Sequence, residues 1–469
     1  MSIEEQAVDA TPKPDTGLRT PQESIPTHAD QERSQSINEG TADIADTVSD
    51  SLPQISFPAF GRLVLLPSSL RALGHRNFRL FWSGQLVSLV GTWMQMIARG
   101  WLVLELTHSP FWLGMVGFAN SVPVLFFSLW AGVIADRVSK RKLVMWTQGI
   151  SMVMSFLLAA LTLSGVVELW HVLAVSVVLG TAFAFDAPSR LAFTVDLVGK
   201  RDLMNAVALN SAIFNGARVV GPAIGAVALA WQGPGLAFLL NGMSYLAVLF
   251  SLMKIDVPYV KKKEDEVGAP KRIMEGLSYV RHNPTIGTLM LLITVVSIFA
   301  FPYAILMPIF ADTVLHVGKE GYGTLMAVTG IGSLVGALSL TVQSGRATVN
   351  RGRIILLGMV GLPICLAIFA LSTNYLLSLL VLLGVGWTMI SINATTNTVV
   401  QTNVPDELRG RVNGVFAFLF IGMAPLGNLQ AGLLADRFGA PTAIFIGALI
   451  CGAVALVILV WKRDLIKSA

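Results

Sequence analysis

Charge is what this 469-residue sequence has least of: Asp, Glu, Lys and Arg make up 13% of it, about half the share usual in a soluble globular domain. With 54% hydrophobic residues and a mean hydropathy of +0.68, the chain reads as an integral membrane protein. Cysteine is nearly absent, and Cys365 and Cys451 both fall inside apolar runs, where they act as small packing residues. That excludes a disulfide framework. The six histidines are scattered. No metal-ligand cluster, nucleotide-cradling glycine loop or His-x-x-x-x-Asp acyl-transfer pattern occurs, so the chain is not expected to be an enzyme or an ATP-driven pump, and no cofactor or metal is expected.

Acidic residues are scarce beyond the N-terminus. Residues 1–60 hold 11 acidic and 3 basic side chains, leaving 30 basic and 17 acidic, a net charge of +13, for the remainder. In a membrane protein such an excess marks cytosolic loops rather than a nucleic-acid partner. Residues 1–68 are polar, acidic and without an apolar run, so they cannot repay the entropy of ordering and read as a disordered cytoplasmic tail. They carry neither a secretory signal nor an organelle transit pattern.

Beyond the tail the chain breaks into apolar runs near the ~20 residues a helix needs to cross a bilayer. They fall at 80–104, 112–134, 143–164, 168–187, 205–230, 235–254, 286–311, 322–343, 354–371, 375–397, 412–434 and 440–461. Basic residues alternate with them. Arg71, Arg76, Arg79, the 137–142 cluster, Arg190, Lys200, Arg201, the 254–281 stretch, Arg346, Arg351, Arg353, Arg409, Arg411, Lys462, Arg463 and Lys467 fall on one side, and Lys319 and Arg437 on the other. The asymmetry places both termini in the cytosol and predicts an all-α, twelve-span protein. A charged connector at 257–284, with Ile273, Leu277 and Val280 at helical spacing, reads as an amphipathic helix on the inner leaflet. It separates a six-helix bundle at 69–256 from one at 285–469.

The border between the second and third runs reads Gly132-Val-Ile-Ala-Asp136-Arg137-Val-Ser-Lys140-Arg141-Lys142. Glycine permits close helix approach, the carboxylate suits a neighbouring helix N-terminus, and the basic cluster stays in the cytosol. The stretch resembles the loop between helices 2 and 3 of the major facilitator superfamily, with Ile134 where Leu is usual and Ser139 where Gly is usual. The resemblance implies an inner-face latch between two bundles, with Arg409, Arg411 and the amides opening span eleven as partners for Asp136. A second copy, Ala431-Gly-Leu-Leu-Ala-Asp-Arg437, ends a span on the outer side and cannot do the same job there. The pseudo-symmetric position after span eight has Leu340 where an Asp is needed.

Ionisable and amide groups inside the spans are the other candidates, because burying them in hydrocarbon is costly. Arg99 and Arg218 are the deepest cations, and with Gln85, Gln95, Asn210, Asn215, Asn393 and Asn397 they form the candidate cavity set. Each has an alternative duty in joining helices. Asp186 is the candidate proton carrier, since restricted hydration favours a protonated carboxyl. The alternative is an ion pair with Arg190 four residues on.

Span five holds Ala217-Arg-Val-Val-Gly221-Pro222-Ala-Ile-Gly225, which resembles the Gly-Pro motif of proton-coupled exporters of the superfamily, with Ala217 where Gly is frequent. Asn77-Phe-Arg-Leu, Trp101-Leu-Val-Leu-Glu-Leu-Thr, Phe185-Asp-Ala-Pro-x-Arg190 and Val404-Pro-Asp-Glu-Leu-Arg-Gly-Arg411 extend the resemblance to the enterobactin-exporter-like branch over residues 70–461. That branch implies a secondary transporter of the cytoplasmic membrane, monomeric, exporting a polar or anionic siderophore-like molecule in exchange for protons. A multidrug or macrolide efflux transporter is the alternative, and a membrane sensor that transports nothing comes behind both.

Overall fold

In bilayer hydrocarbon no water is present to satisfy backbone N–H and C=O groups, so an apolar run must bond within itself as a helix. The computed structural model describes residues 68–257, 269–344 and 351–461, and among them every regular element is helical. The acidic tail, residues 258–268 of the charged connector, Arg346 and the basic C-terminal residues lie outside the described residues, as does the side chain of Asp136.

A short helical turn, Ser68–Gly74, leads into α1 (Arg76–Thr107), α2 (Pro110–Arg137) and α3 (Lys140–Leu163). A single 64-residue helical run then spans Leu169–Gln232. It is broken at Gly199, whose φ of 70° and ψ of 177° are closed to side-chain-bearing residues, so we treat its arms as α4 (169–198) and α5 (200–232). The chain continues with α6 (Pro234–Lys254), α7 (Ala269–His282), α8 (Pro284–Val314), α9 (Gly318–Ser344), α10 (Arg351–Leu371), α11 (Tyr375–Asn403), α12 (Asp406–Phe438) and α13 (Ala440–Trp461).

Eleven of these runs are long and apolar enough to cross a membrane, one of them being the broken α4–α5 run. Each of its arms exceeds the ~20 residues of one crossing. Several helices outrun the apolar segments that foretold them. Helix α4 continues past residue 187 through Pro188 to 198, because hydropathy marks the apolar slab while helical hydrogen bonding runs on into the polar border. A Cβ at Gly199 would meet open space, so the cost of Gly199→Ala is conformational alone. We expect it to lower stability by about 1–3 kcal/mol, read as an earlier unfolding midpoint in detergent.

Helices α1 to α6 pack chiefly among themselves, as do α8 to α13. The two sets meet mainly along two seams, α5 against α9 and α2 against α12. Helix α8 contains two π turns, Val296–Ala300 and Phe310–Val314, and α12 contains one, Phe418–Gly422. A π turn loosens the regular ladder, and here Ser297 Oγ donates to the Phe420 carbonyl at 2.7 Å. Helix α7 lies across the start of α12, with Gly276 against the Arg411 carbonyl and Glu275 paired to Arg411 at 2.6 Å.

Candidate functional site

A cavity of about 600 Å³ lies within the first six helices. Residues three, four or seven apart share one face of a helix, and α1 presents Gln85, Thr92, Gln95 and Arg99 to the cavity in that way. Helix α3 contributes Gln148 and Ser151, α4 contributes Asp186, Arg190 and Thr194, and α5 contributes Asn210. Much of the remaining wall is apolar or aromatic, including Phe81, Trp93, Phe183 and Phe214.

Asp186 is the most heavily bonded group of the site. It is 3% exposed, accepts from Thr147 Oγ1 at 2.7 Å and Gln148 Nε2 at 3.0 Å, and its other oxygen pairs with Arg190. Arg190 also donates to the Gln85 carbonyl. The i,i+4 ion pair weighed from the sequence is therefore present, and it ties α1, α3 and α4 together. Two donors of this cluster, Arg190 Nε and Gln85 Nε2, are buried without an acceptor.

Gln95 and Asn210 line the cavity but also join helices. The Gln95 carbonyl accepts from Ser155 Oγ at 2.7 Å and Asn241 Nδ2 at 2.6 Å. Asn210 Nδ2 donates to Thr194 Oγ1 at 3.3 Å, bridging the two arms flanking Gly199. Arg99 donates to Ser176 Oγ at 3.5 Å.

Four candidates from the sequence do not line this cavity. Asn215 donates back to the Ser211 carbonyl one turn earlier. Asn397 accepts from Gln401 one turn on. The Asn393 amide nitrogen is buried away from the cavity without an acceptor. Arg218 lies with its guanidinium carbon 5.7 Å from the Trp93 ring centroid, and Tyr303 of α8 is close enough to feel its charge. Arg218 thus reaches from α5 to Trp93 of α1, while its backbone carbonyl packs against Gly330 of α9. The Gly-Pro motif works between the same helices. Ala217 is fully buried. Gly221 faces the Val90 carbonyl of α1 and Gly225 faces Met94, while the neighbouring Pro222 carbonyl and Ala226 press on Gly323 of α9.

The two ends of the bundle differ. At the end with loops expected to face outward, α2 and α12 are in backbone contact. A Cβ at Gly114 would come 2.6 Å from the Asn428 carbonyl oxygen and 2.7 Å from Gly432 Cα. Ser109 Oγ donates to Asp436 at 2.9 Å, Asn428 Nδ2 donates to Ser121 Oγ at 3.2 Å, and Trp101 stacks on Tyr322. Gly432 and Asp436 belong to the second Ala-Gly-x-x-Ala-Asp-Arg copy, which here closes this end of the bundle. At the opposite end Gly132, Gly410 and Gly414 have nothing within 4 Å. Of the partners expected for Asp136, Arg409 pairs with Asp406 at 2.5 Å and Arg411 with Glu275. Lys140 pairs with Asp196 at 2.7 Å, Arg141 donates to the Leu252 and Met253 carbonyls, and Lys142 is exposed.

Thr92, Trp93, Asn120, Gln148, Thr194 and Tyr245 were not foreseen in the wall. One signal was available. Thr147, Gln148, Ser151 and Ser155 form a polar stripe at helical spacing through an apolar run.

A multi-pass helical bundle, closed at one end around a cavity whose apolar wall carries a few polar and charged groups, and open in its glycine contacts at the other, defines a membrane carrier of small molecules. The sequence profile of the transmembrane secretion effector family matches residues 67–468, and the chain belongs to that family of major facilitator transporters. It is 29% identical over 367 residues to the multidrug efflux pump Tap of Mycolicibacterium fortuitum, covering 74% of this chain and 87% of Tap. It is 26% identical over 363 residues to the staphyloferrin A transporter of Staphylococcus aureus, covering 77% of this chain and 90% of that one. Identity to the enterobactin exporter EntS of Escherichia coli O1:K1 / APEC is 25% over 406 residues, covering 83% and 93%. The fold is similar to the nucleoside transporter NupG, with a TM-score of 0.64 at 12% identity over 82% of this chain and 98% of that one. It is also similar to an inward-facing, unoccupied bacterial homologue of the lysosomal transporter Spinster, with a TM-score of 0.63 at 13% identity, covering 87% and 97%.

Proposed function

We propose that this protein resides in the cytoplasmic membrane with both termini inside and exports an anionic, siderophore-like small molecule in exchange for protons, acting as a monomer. The bundles at 69–256 and 285–469 rock about the cavity, joined by the connector at 257–284. In this reading the end closed by Gly114, Gly432 and Asp436 faces outward, and Asp136 latches the inner face in the opposite state. The observation that carries the anionic cargo is the charge of the wall. Its one carboxylate among the described residues, Asp186, is already paired with Arg190, so Arg99 leaves a net positive cavity. Drug efflux is the second reading, favoured by the aromatic side chains of the same wall.

The test is proton release from energised inside-out vesicles on adding an iron-chelating siderophore or, separately, a macrolide. A siderophore response that falls by about tenfold in Arg99→Gln supports the first reading. A response to the macrolide alone supports the second, and silence to both removes proton-coupled export of either cargo.

A further inference from the structure

The cavity has a second cationic group whose bonding is incomplete. Arg190 offers five N–H donors. Two of its nitrogens are engaged, one by Asp186 and one by the Gln85 carbonyl, while Nε has no acceptor. Gln85, 2% exposed, has its own Nε2 donors unmet. A buried donor without an acceptor is costly, and here two lie side by side on a cavity wall. The acceptor Arg190 does have at that point is a neutral amide. An anionic oxygen makes a bond about twice as strong with a guanidinium, so it can displace the Gln85 carbonyl. The freed Gln85 amide, whose Nε2 lacks an acceptor, then donates to it as well. Asp186 cannot play this part, since Thr147, Gln148 and Arg190 already occupy it.

Arg99 is the other pole. Gln85 and Arg99 stand on the same helix fourteen residues apart, ~21 Å along its axis at the usual rise. Between them α1 lines the wall with Leu89, Thr92, Trp93, Gln95 and Met96, none of which carries a charge. From the orphaned donors, the loaded carboxylate and this spacing, we infer that the Arg190–Gln85 pair is a second anion-binding subsite, and that the cargo is an elongated acid with anionic oxygens at both ends and an uncharged middle. The inference rests on the anionic-cargo reading above and narrows it to a two-ended acid.

The test measures binding rather than transport, so it stands apart from the vesicle assay. The full chain in lipid nanodiscs is titrated with α,ω-dicarboxylic acids graded from succinate to hexadecanedioate, and with the monocarboxylic acid of each length, by calorimetry without any gradient. The expected result is an optimum at long spacing where the di-acid binds at least about tenfold tighter than its mono-acid, one charge-assisted contact's worth. Gln85→Glu, an isosteric change that sets a fixed anion against Arg190, should reduce that ratio to about one, as should Arg99→Gln. The double substitution Asp186→Asn with Arg190→Gln removes the subsite without stranding a buried charge and should do the same. Di-acids that bind no tighter than mono-acids at any length, or a ratio that survives Gln85→Glu, would overturn the inference. A length optimum with silent vesicles sinks proton-coupled export and leaves the two-ended site standing.

Discussion

Replacing Gly114 by alanine is expected to hold the carrier open on its outer face. The added methyl meets backbone atoms, the Asn428 carbonyl oxygen and Gly432 Cα, at distances real side chains do not adopt, and neither can rotate away as a flexible side chain would. The cost falls only on the state in which α2 and α12 touch. A two-state equilibrium shifts by the full difference between its states, and each 1.4 kcal/mol is a factor of about ten. A cysteine placed on the cavity wall at position 92 should therefore be labelled from outside by an impermeant maleimide at least about ten times faster in Gly114→Ala than in its absence. Gly149→Ala, where the methyl enters open space, should leave labelling as it was. The inner latch makes the opposite prediction in the same assay. Asp136→Asn, by weakening the outward-open state, should slow labelling from outside and speed it from inside.

Removing Asp186 is expected to be the most damaging change to the cavity itself. Asp186→Ala strands the Arg190 charge in a largely buried setting and leaves the Thr147 hydroxyl and the Gln148 amide without their acceptor. Breaking such a pair from one side costs about 3 kcal/mol or more, whereas removing both charges together is often close to neutral. Detergent unfolding should thus show a large loss for Asp186→Ala and recovery of most of it in the double variant Asp186→Asn with Arg190→Gln. Asp186→Asn alone, which leaves Arg190 and Gln85 in place, tests the carrier reading of Asp186. If the carboxyl carries the proton, the cargo still binds, yet substrate-driven proton release is abolished. Proton release that survives would leave Asp186 a purely architectural residue.

The fold was largely legible because bilayer hydrocarbon imposes a length on each apolar run and a bias on the charges beside it. The Asp186–Arg190 pair was legible for a similarly local reason, four residues of helix. Legibility failed where a residue's duty depends on which way its helix is turned. Around Asn393 and Asn397 helix α11 carries Ser391, Thr395, Thr396 and Thr398 on its several faces, so nothing in its sequence distinguishes a position facing the cavity from one facing a neighbouring helix, and neither Asn could be placed. Arg218 looked like a cavity cation because depth was readable, and the Trp93 ring that receives it was not. The Ser109–Asp436 bond links residues more than three hundred positions apart. It depends on how α2 and α12 cross, so the sequence shows only that the second Ala-Gly-x-x-Ala-Asp-Arg copy cannot do the first one's job.

The glycines of the two gates also carry a record of the shape that is not on display. At the outer end Gly114 and Gly432 are filled by the opposite helix. At the inner end Gly132, Gly410 and Gly414 stand bare, although a helix interior has a standing preference for alanine of about 1 kcal/mol. A vacancy kept against that preference behaves like a mould without its casting. Under the proposed rocking of the two bundles, the bare positions on α2 and α12 are where the other state is expected to bring these helices together, so the surface of one state offers a draft of the contact map of the other.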